Sequence, residues 1–264
     1  MLGVSTWAYT WRRHAEASAQ FTIEDVLDDA ARLGVGLVQV CDVPDLERAD
    51  AGWLSSLRAA ADGRGLVLET GTRGLEPDHL RRHLATARTL GARLVRSMLS
   101  SPRGQPTLEQ ARDWLGRVLP EFERAGVTLA LETYEQVSTA DLVELVSAFD
   151  SPALGICLDP GNTVARLEHP LETARLAAPW VVNLHVKDFA FTRADATIGF
   201  TFAGARLGEG LLDYPGTVAL LRAAGRDVNH VVEHWLGREQ TVDATAAKER
   251  EWVDASVAWL RRSR

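Results

Sequence analysis

Cysteine is scarce in this chain: there are two, Cys41 and Cys157, far apart and each inside an apolar run. They read as small buried residues of a reducing compartment, which excludes a disulfide framework. Long apolar stretches are missing as well, and none approaches the roughly 20 residues that span a bilayer. A basic excess is absent: 29 Lys and Arg stand against 36 Asp and Glu, a net charge of −7. That balance argues against a nucleic-acid or anionic-membrane partner, either of which needs a positive field. No Gly-x-Gly-x-x-Gly follows the first strand-like segment, and no Gly-Lys-Ser/Thr phosphate loop occurs, so the common nucleotide-fold fingerprints are lacking. The N-terminal segment lacks the basic and apolar regions of a secretion signal, and the expected location is the cytoplasm.

What is present is a regular alternation of short β-branched runs and helix-period segments. Strands are predicted at residues 2–6, 37–41, 66–70, 94–97, 127–132, 154–159, 181–186 and 228–233. Helices are predicted between them, several with start and stop signals. Thr22-Ile23-Glu24-Asp25 opens one that Gly34 closes, and Thr107-Leu108-Glu109-Gln110 has the form of a capping box. Pro120, inside the helix that follows, is expected to kink or split it. Alternating strands and helices imply parallel pairing with right-handed crossovers. Eight such units, at about 33 residues each with no linker or composition break, predict an α/β fold: a single (β/α)8 TIM barrel over residues 1–264.

In such a barrel the chemistry sits at the C-terminal ends of the strands. Those ends carry Glu132, Asp159, His185 and Glu233 on the last four strands in sequence. Each follows an apolar run that must be buried, and ionisable groups converging at one rim are costly unless a cation binds them. Three carboxylates and an imidazole suit Mn2+, Mg2+ or Co2+, with Zn2+ less well matched. Taken singly, each has a plainer reading. Asp159 opens good turn and N-cap chemistry in Asp-Pro-Gly-Asn, either glutamate fits a rim ion pair, and His185 fits a satisfied core histidine.

The segments Leu131-Glu132-Thr133, Leu158-Asp159-Pro160-Gly161-Asn162 and His185-Val186-Lys187-Asp188 resemble the xylose-isomerase-like TIM-barrel superfamily, in its sugar phosphate isomerase/epimerase group, over nearly the whole chain. The resemblance implies that Glu132, Asp159, His185 and Glu233 bind one divalent metal. Ketose 3-epimerases of that group carry a substrate-binding histidine three residues after the aspartate, where this chain has Asn162. The stretch Val38–Asp42 and residues 198–210 look more like the decarboxylases of 3-oxo sugar acids, of the 3-oxoisoapionate type.

The expected activity is a metal-dependent isomerase or epimerase of a ketose, with Glu132 and Glu233 as the acid–base pair around a metal-stabilised enediolate. A metal-dependent decarboxylase of a 3-oxo sugar acid is the alternative. An endonuclease IV-like enzyme and a non-catalytic sugar-binding barrel are the rivals; the former needs more strand-end histidines than this chain supplies. The expected partner is a small sugar or sugar acid, with a homodimer as the expected assembly. Candidate substrate contacts are Lys187, Asn162, Arg193, Arg96 and Gln39, with Lys187 pairing to Asp188 as the plain alternative. Trp7, Tyr9 and Trp11 are candidate walls. His230 and His234 are expected to be structural, and His79 and His83 to lie on a solvated helix face. Residues 188–212 show no helical period and read as a loop overhanging the metal, with Arg193 or Lys187 facing an anionic group.

Overall fold

A computed structural model describes residues 1–193 and 198–263. Eight parallel strands close into a barrel. They are β1 (Leu2–Ser5), β2 (Leu37–Cys41), β3 (Val67–Gly71), β4 (Leu94–Ser97), β5 (Thr128–Glu132), β6 (Leu154–Leu158), β7 (Val181–Val186) and, last in the chain, β10 (Asn229–Val232). Each strand pairs with its sequence neighbour in the barrel, and β10 closes the ring by pairing with β1 through Leu2↔His230 to Val4↔Val232.

The helical layer follows from local signals. In α1 (Ile23–Leu33), the Thr22 hydroxyl caps the Asp25 amide and the Asp25 carboxylate accepts from the Thr22 amide. Gly34 ends the helix in the left-handed region at φ 63°. An 11-residue helix is marginal alone. Ile23, Val26, Leu27, Ala30 and Leu33 are buried on one face, and each large side chain contributes roughly 1.5–3 kcal/mol. The outer layer continues with α2 (Pro44–Arg48), α3 (Ala51–Asp62), α4 (Pro77–Leu90), α5 (Leu108–Ala125), α6 (Thr139–Ser147), α7 (Pro160–Val164), α8 (Pro170–Ala177), α9 (Tyr214–Ala223) and α10 (Val242–Ser263). The capping box at Thr107 and Gln110 is formed. The expected split at Pro120 does not occur: α5 runs unbroken through it, because its buried face of Ala111, Leu115, Val118, Leu119 and Phe122 is continuous across the proline.

The region expected as a loop after β7 is instead an antiparallel hairpin, β8 (Phe189–Arg193) with β9 (Phe200–Gly204), paired from Phe189↔Gly204 to Arg193↔Phe200. Residues 194–197 of that expected loop lie outside those described. The Asp188 carboxylate ties the return segment down. It accepts the amides of Phe189 and Leu212 on one oxygen, and of Gly208 and Gly210 on the other, each at 2.9 Å.

The expected solvated pair on α4 is also different. His83 is buried, and its Nε2 lies 3.0 Å from the Thr72 hydroxyl, with His79 Nε2 at 2.7 Å from the same oxygen. Their helix face carries Leu80, Leu84 and Ala87 and turns to the barrel. Among the described residues no helix is long and apolar enough to cross a membrane.

Candidate metal centre and its cavity

Four neighbouring strands deliver the predicted cluster. Glu132 is the last residue of β5, Asp159 directly follows β6, His185 is in β7 and Glu233 directly follows β10. All four are buried, and one ligand atom of each lies within 4.8 Å of all the others. His185 Nδ1 stands 3.4 Å from Glu132 Oε1, 3.5 Å from Glu233 Oε1 and 3.6 Å from Asp159 Oδ2. Its Nε2 donates to Gln39 Oε1 at 2.9 Å, which turns Nδ1 toward the carboxylate oxygens. Neither Nδ1 nor Glu233 Oε1 has a hydrogen-bond partner. Acceptors turned on one another in a dry pocket fit a divalent cation between them. The cluster can therefore bind a metal.

Asp159 uses its two oxygens differently. Oδ1 caps α7 through the Asn162 amide at 3.2 Å, while Oδ2 faces the cluster. Glu132 is held by Asn162 Nδ2 at 2.9 Å and by Arg96 Nε at 2.9 Å. Burial pushes the Glu132 carboxyl up, but Arg96 and His185 outweigh it and hold it below its ordinary range. Burial pushes the Lys187 ammonium down, yet Asp159 at 2.7 Å and Glu233 at 3.3 Å raise it above its ordinary value, so it stays charged. Lys187 thus pairs with two cluster carboxylates and not with Asp188, whose oxygens are taken by backbone amides.

Above the cluster lies a small cavity of about 60 Å³. Trp7, Met98, Tyr134 and Trp235 form its apolar walls, and Arg73, Arg96 and Lys187 bring positive charge to it. Lys187 Nζ sits 4.3 Å from the centre of the Trp235 ring. Arg96 reaches the wall because Gly71 stands beside it, where a Cβ would overlap the Cys41 sulfur and come within 3.4 Å of Arg96 Nε. Asp42 holds three of the lining side chains. It adopts a left-handed backbone (φ 52°) and accepts from Arg96 Nη2 at 2.9 Å and Trp7 Nε1 at 3.1 Å, with Arg73 Nε at 3.5 Å. Burial raises its carboxyl, but Arg96 and Arg73 hold it below the usual range.

Several predicted contacts lie elsewhere. Gln39 is fully buried beneath the cluster, with its amide used by protein partners, and does not reach the mouth. Asn162 spends its amide nitrogen on Glu132 and the Thr133 carbonyl. Arg193 is exposed on the hairpin, its guanidinium 5.0 Å over Phe200, and does not line the cavity. Tyr9 is core, stacked on Phe21. His230 and His234 are bonded to the Tyr214 and Ser256 hydroxyls; His234, expected to be structural only, borders the cavity. Sequence reasoning missed Arg73 and Tyr134. Both follow a strand end within two residues, which is the signal that could have found them.

The sequence profile of the xylose isomerase-like TIM barrel family matches residues 27–263. The chain belongs to that family. It is 45% identical over 259 residues to the 3-oxo-isoapionate decarboxylase of Pectobacterium atrosepticum, covering 98% of this chain and 94% of that one. Solved structures of the same fold include a D-psicose 3-epimerase in the presence of D-fructose, with a TM-score of 0.75 and 15% identity over 99% of this chain and 98% of the other. A xylose isomerase-like TIM barrel protein from Mycobacterium smegmatis in complex with magnesium aligns with a TM-score of 0.68 and 19% identity over 98% and 96%.

Proposed function

We propose that the protein is a divalent-metal-dependent lyase that releases CO2 from a 3-oxo sugar acid. The observation that carries this reading is the 45% identity, over nearly the full length of both chains, to a 3-oxo-isoapionate decarboxylase. Three cationic side chains agree with it: Arg73, Arg96 and Lys187 line a cavity that Glu132 and Glu233 of the buried cluster also border. A neutral ketose has no use for that charge, whereas an acid does.

Glu132, Asp159, His185 and Glu233 would hold the metal. Bound there, it would supply Lewis-acid polarisation of the substrate carbonyl. Arg73, half exposed beside Trp7, receives the carboxylate of the incoming acid. The bond to the carboxyl carbon breaks, CO2 leaves, and the electron pair moves toward the 3-oxo oxygen. Lys187, held charged at the cavity wall, offsets that negative charge and returns a proton to the carbon. The isomerase or epimerase reading instead needs Glu132 and Glu233 to exchange a substrate proton. Glu132 is already held by Arg96 and Asn162, and Glu233 by Lys187.

The test is CO2 release from a 3-oxo sugar acid by metal-stripped and Mn2+-loaded protein, beside deuterium uptake from solvent into ketoses. Metal-dependent CO2 release is expected. Deuterium uptake into a ketose with no CO2 from any acid would overturn the proposal.

A further inference from the structure

A TIM-barrel interior is ordinarily filled by branched apolar side chains. Here one layer is polar. Gln39 on β2, Glu69 on β3, Asn183 on β7 and Asn229 on β10 all meet inside the barrel. Gln39 and Asn183 bond across it although β1 and β10 stand between their strands. The Glu69 carboxylate accepts from Gln39 Nε2 at 3.0 Å, Asn183 Nδ2 at 2.9 Å and Asn229 Nδ2 at 2.7 Å. Both Gln39 and Asn183 are fully buried, and Glu69 is nearly so.

These contacts fix a direction. A carboxylate only accepts, so the Gln39 face turned to Glu69 must be its NH2. The Gln39 oxygen therefore points the other way, at the Cys41 thiol (3.3 Å) and at His185 Nε2 (2.9 Å). An oxygen there accepts from Nε2–H, so a neutral His185 ring carries its proton on Nε2 and turns a bare Nδ1 toward the three carboxylates.

We infer that Glu69, acting through Gln39, holds His185 in the tautomer that presents Nδ1 to a cation, so that Glu69 and Gln39 are positioning residues of the metal cluster. The inference rests on the metal-dependent reading above. Without Glu69 the Gln39 amide keeps, besides His185, only the longer contacts to Asn183 Oδ1 and the Cys41 thiol, each at 3.3 Å, and turns over more readily. Its NH2 then faces Nε2, the ring proton moves to Nδ1, and that proton occupies the direction the cation needs. Partners behind a ligating histidine typically change metal affinity by roughly 10–100-fold when removed.

The experiment measures Mn2+ dissociation constants by calorimetric titration of metal-stripped wild type, Glu69→Leu and Glu69→Gln, with the melting temperature of each metal-free protein. Glu69→Gln keeps the volume and guards against a Leu variant that fails to fold. Its single acceptor oxygen can serve Gln39 and Asn183 only by turning an NH2 on the Asn229 amide. Expected is Mn2+ binding about 10–100-fold weaker in Glu69→Leu and several-fold weaker in Glu69→Gln. A Glu69 with a purely structural role would lower the melting temperatures and leave the Mn2+ constants within twofold of wild type, which overturns the inference. A wild type that binds no Mn2+ would instead overturn the metal-dependent function and this inference with it.

Discussion

Arg96 Nε lies 2.9 Å from Glu132 Oε2, and both side chains are buried. The same guanidinium gives one Nη to Asp42 and the other to the Thr72 carbonyl, each at 2.9 Å. Removing one partner of such a pair leaves an unbalanced buried charge, at about 3–5 kcal/mol. Arg96→Leu is therefore expected to lower the unfolding free energy by that order, read from the urea midpoint at unchanged slope.

Lys187→Met takes a cation away from Asp159 and Glu233 while keeping the stem volume. Metal affinity is expected to rise several-fold, because the ammonium 2.7 Å from Asp159 Oδ2 opposes a second cation. Turnover is expected to fall by about 10²–10⁴, the usual share of a proton donor. Mn2+ titration and CO2 release, measured on one preparation, separate the two effects.

Arg73→Ala is expected to raise KM for an acidic substrate about tenfold with kcat little changed, the pattern of a lost ground-state contact. Mn2+ affinity should not move, since Arg73 touches Asp42 and Trp7 and none of the four cluster residues.

Asp188→Asn replaces an acceptor of four backbone amides with a group that carries its own donors. The return segment after the hairpin is expected to open more easily, by roughly 1–3 kcal/mol. Hydrogen exchange at Gly208, Gly210 and Leu212 checks it.

Glu249 on α10 accepts the amides of Trp11 and Arg12 from a buried position. Burial pushes its carboxyl up to about 7, beyond the pull of those bonds. The native state then holds more protons than the unfolded chain between about pH 4.5 and 7, so stability falls as pH rises through that window and levels off above it. The slope is at most about 1.4 kcal/mol per pH unit. Glu249→Gln should remove most of this slope, as seen in melting temperatures at pH 5 and 8.

The barrel was legible because its signals are local. Glycines at positions 34, 91 and 126 close α1, α4 and α5 in the left-handed region, and each strand between them opens on an apolar pair, Leu37-Val38, Val67-Leu68 and Leu94-Val95. The four cluster residues were legible because each is an ionisable group at the end of a buried strand. The hairpin was not, although aromatic residues alternate at 189 and 191 and again at 200 and 202, because these short runs lie among the glycines at 199, 204, 208 and 210. Gln39 was placed at the mouth because sequence gives a residue's face on its strand but not its depth along the barrel. Arg73 and Tyr134 escaped because a residue just past a strand end has no periodicity to read.

The polar layer inside the barrel has a second effect, on how the strands find their alignment. Gln39 stands opposite Glu69, and Asn183 opposite Asn229, as paired positions of adjacent strands. Apolar strands tolerate sliding, because one valine replaces another at little cost. Here a slip of one residue would turn these amides out into the helix layer and strand the Glu69 carboxylate without donors. The barrel thus carries an internal ruler, and its marks are the side chains behind His185.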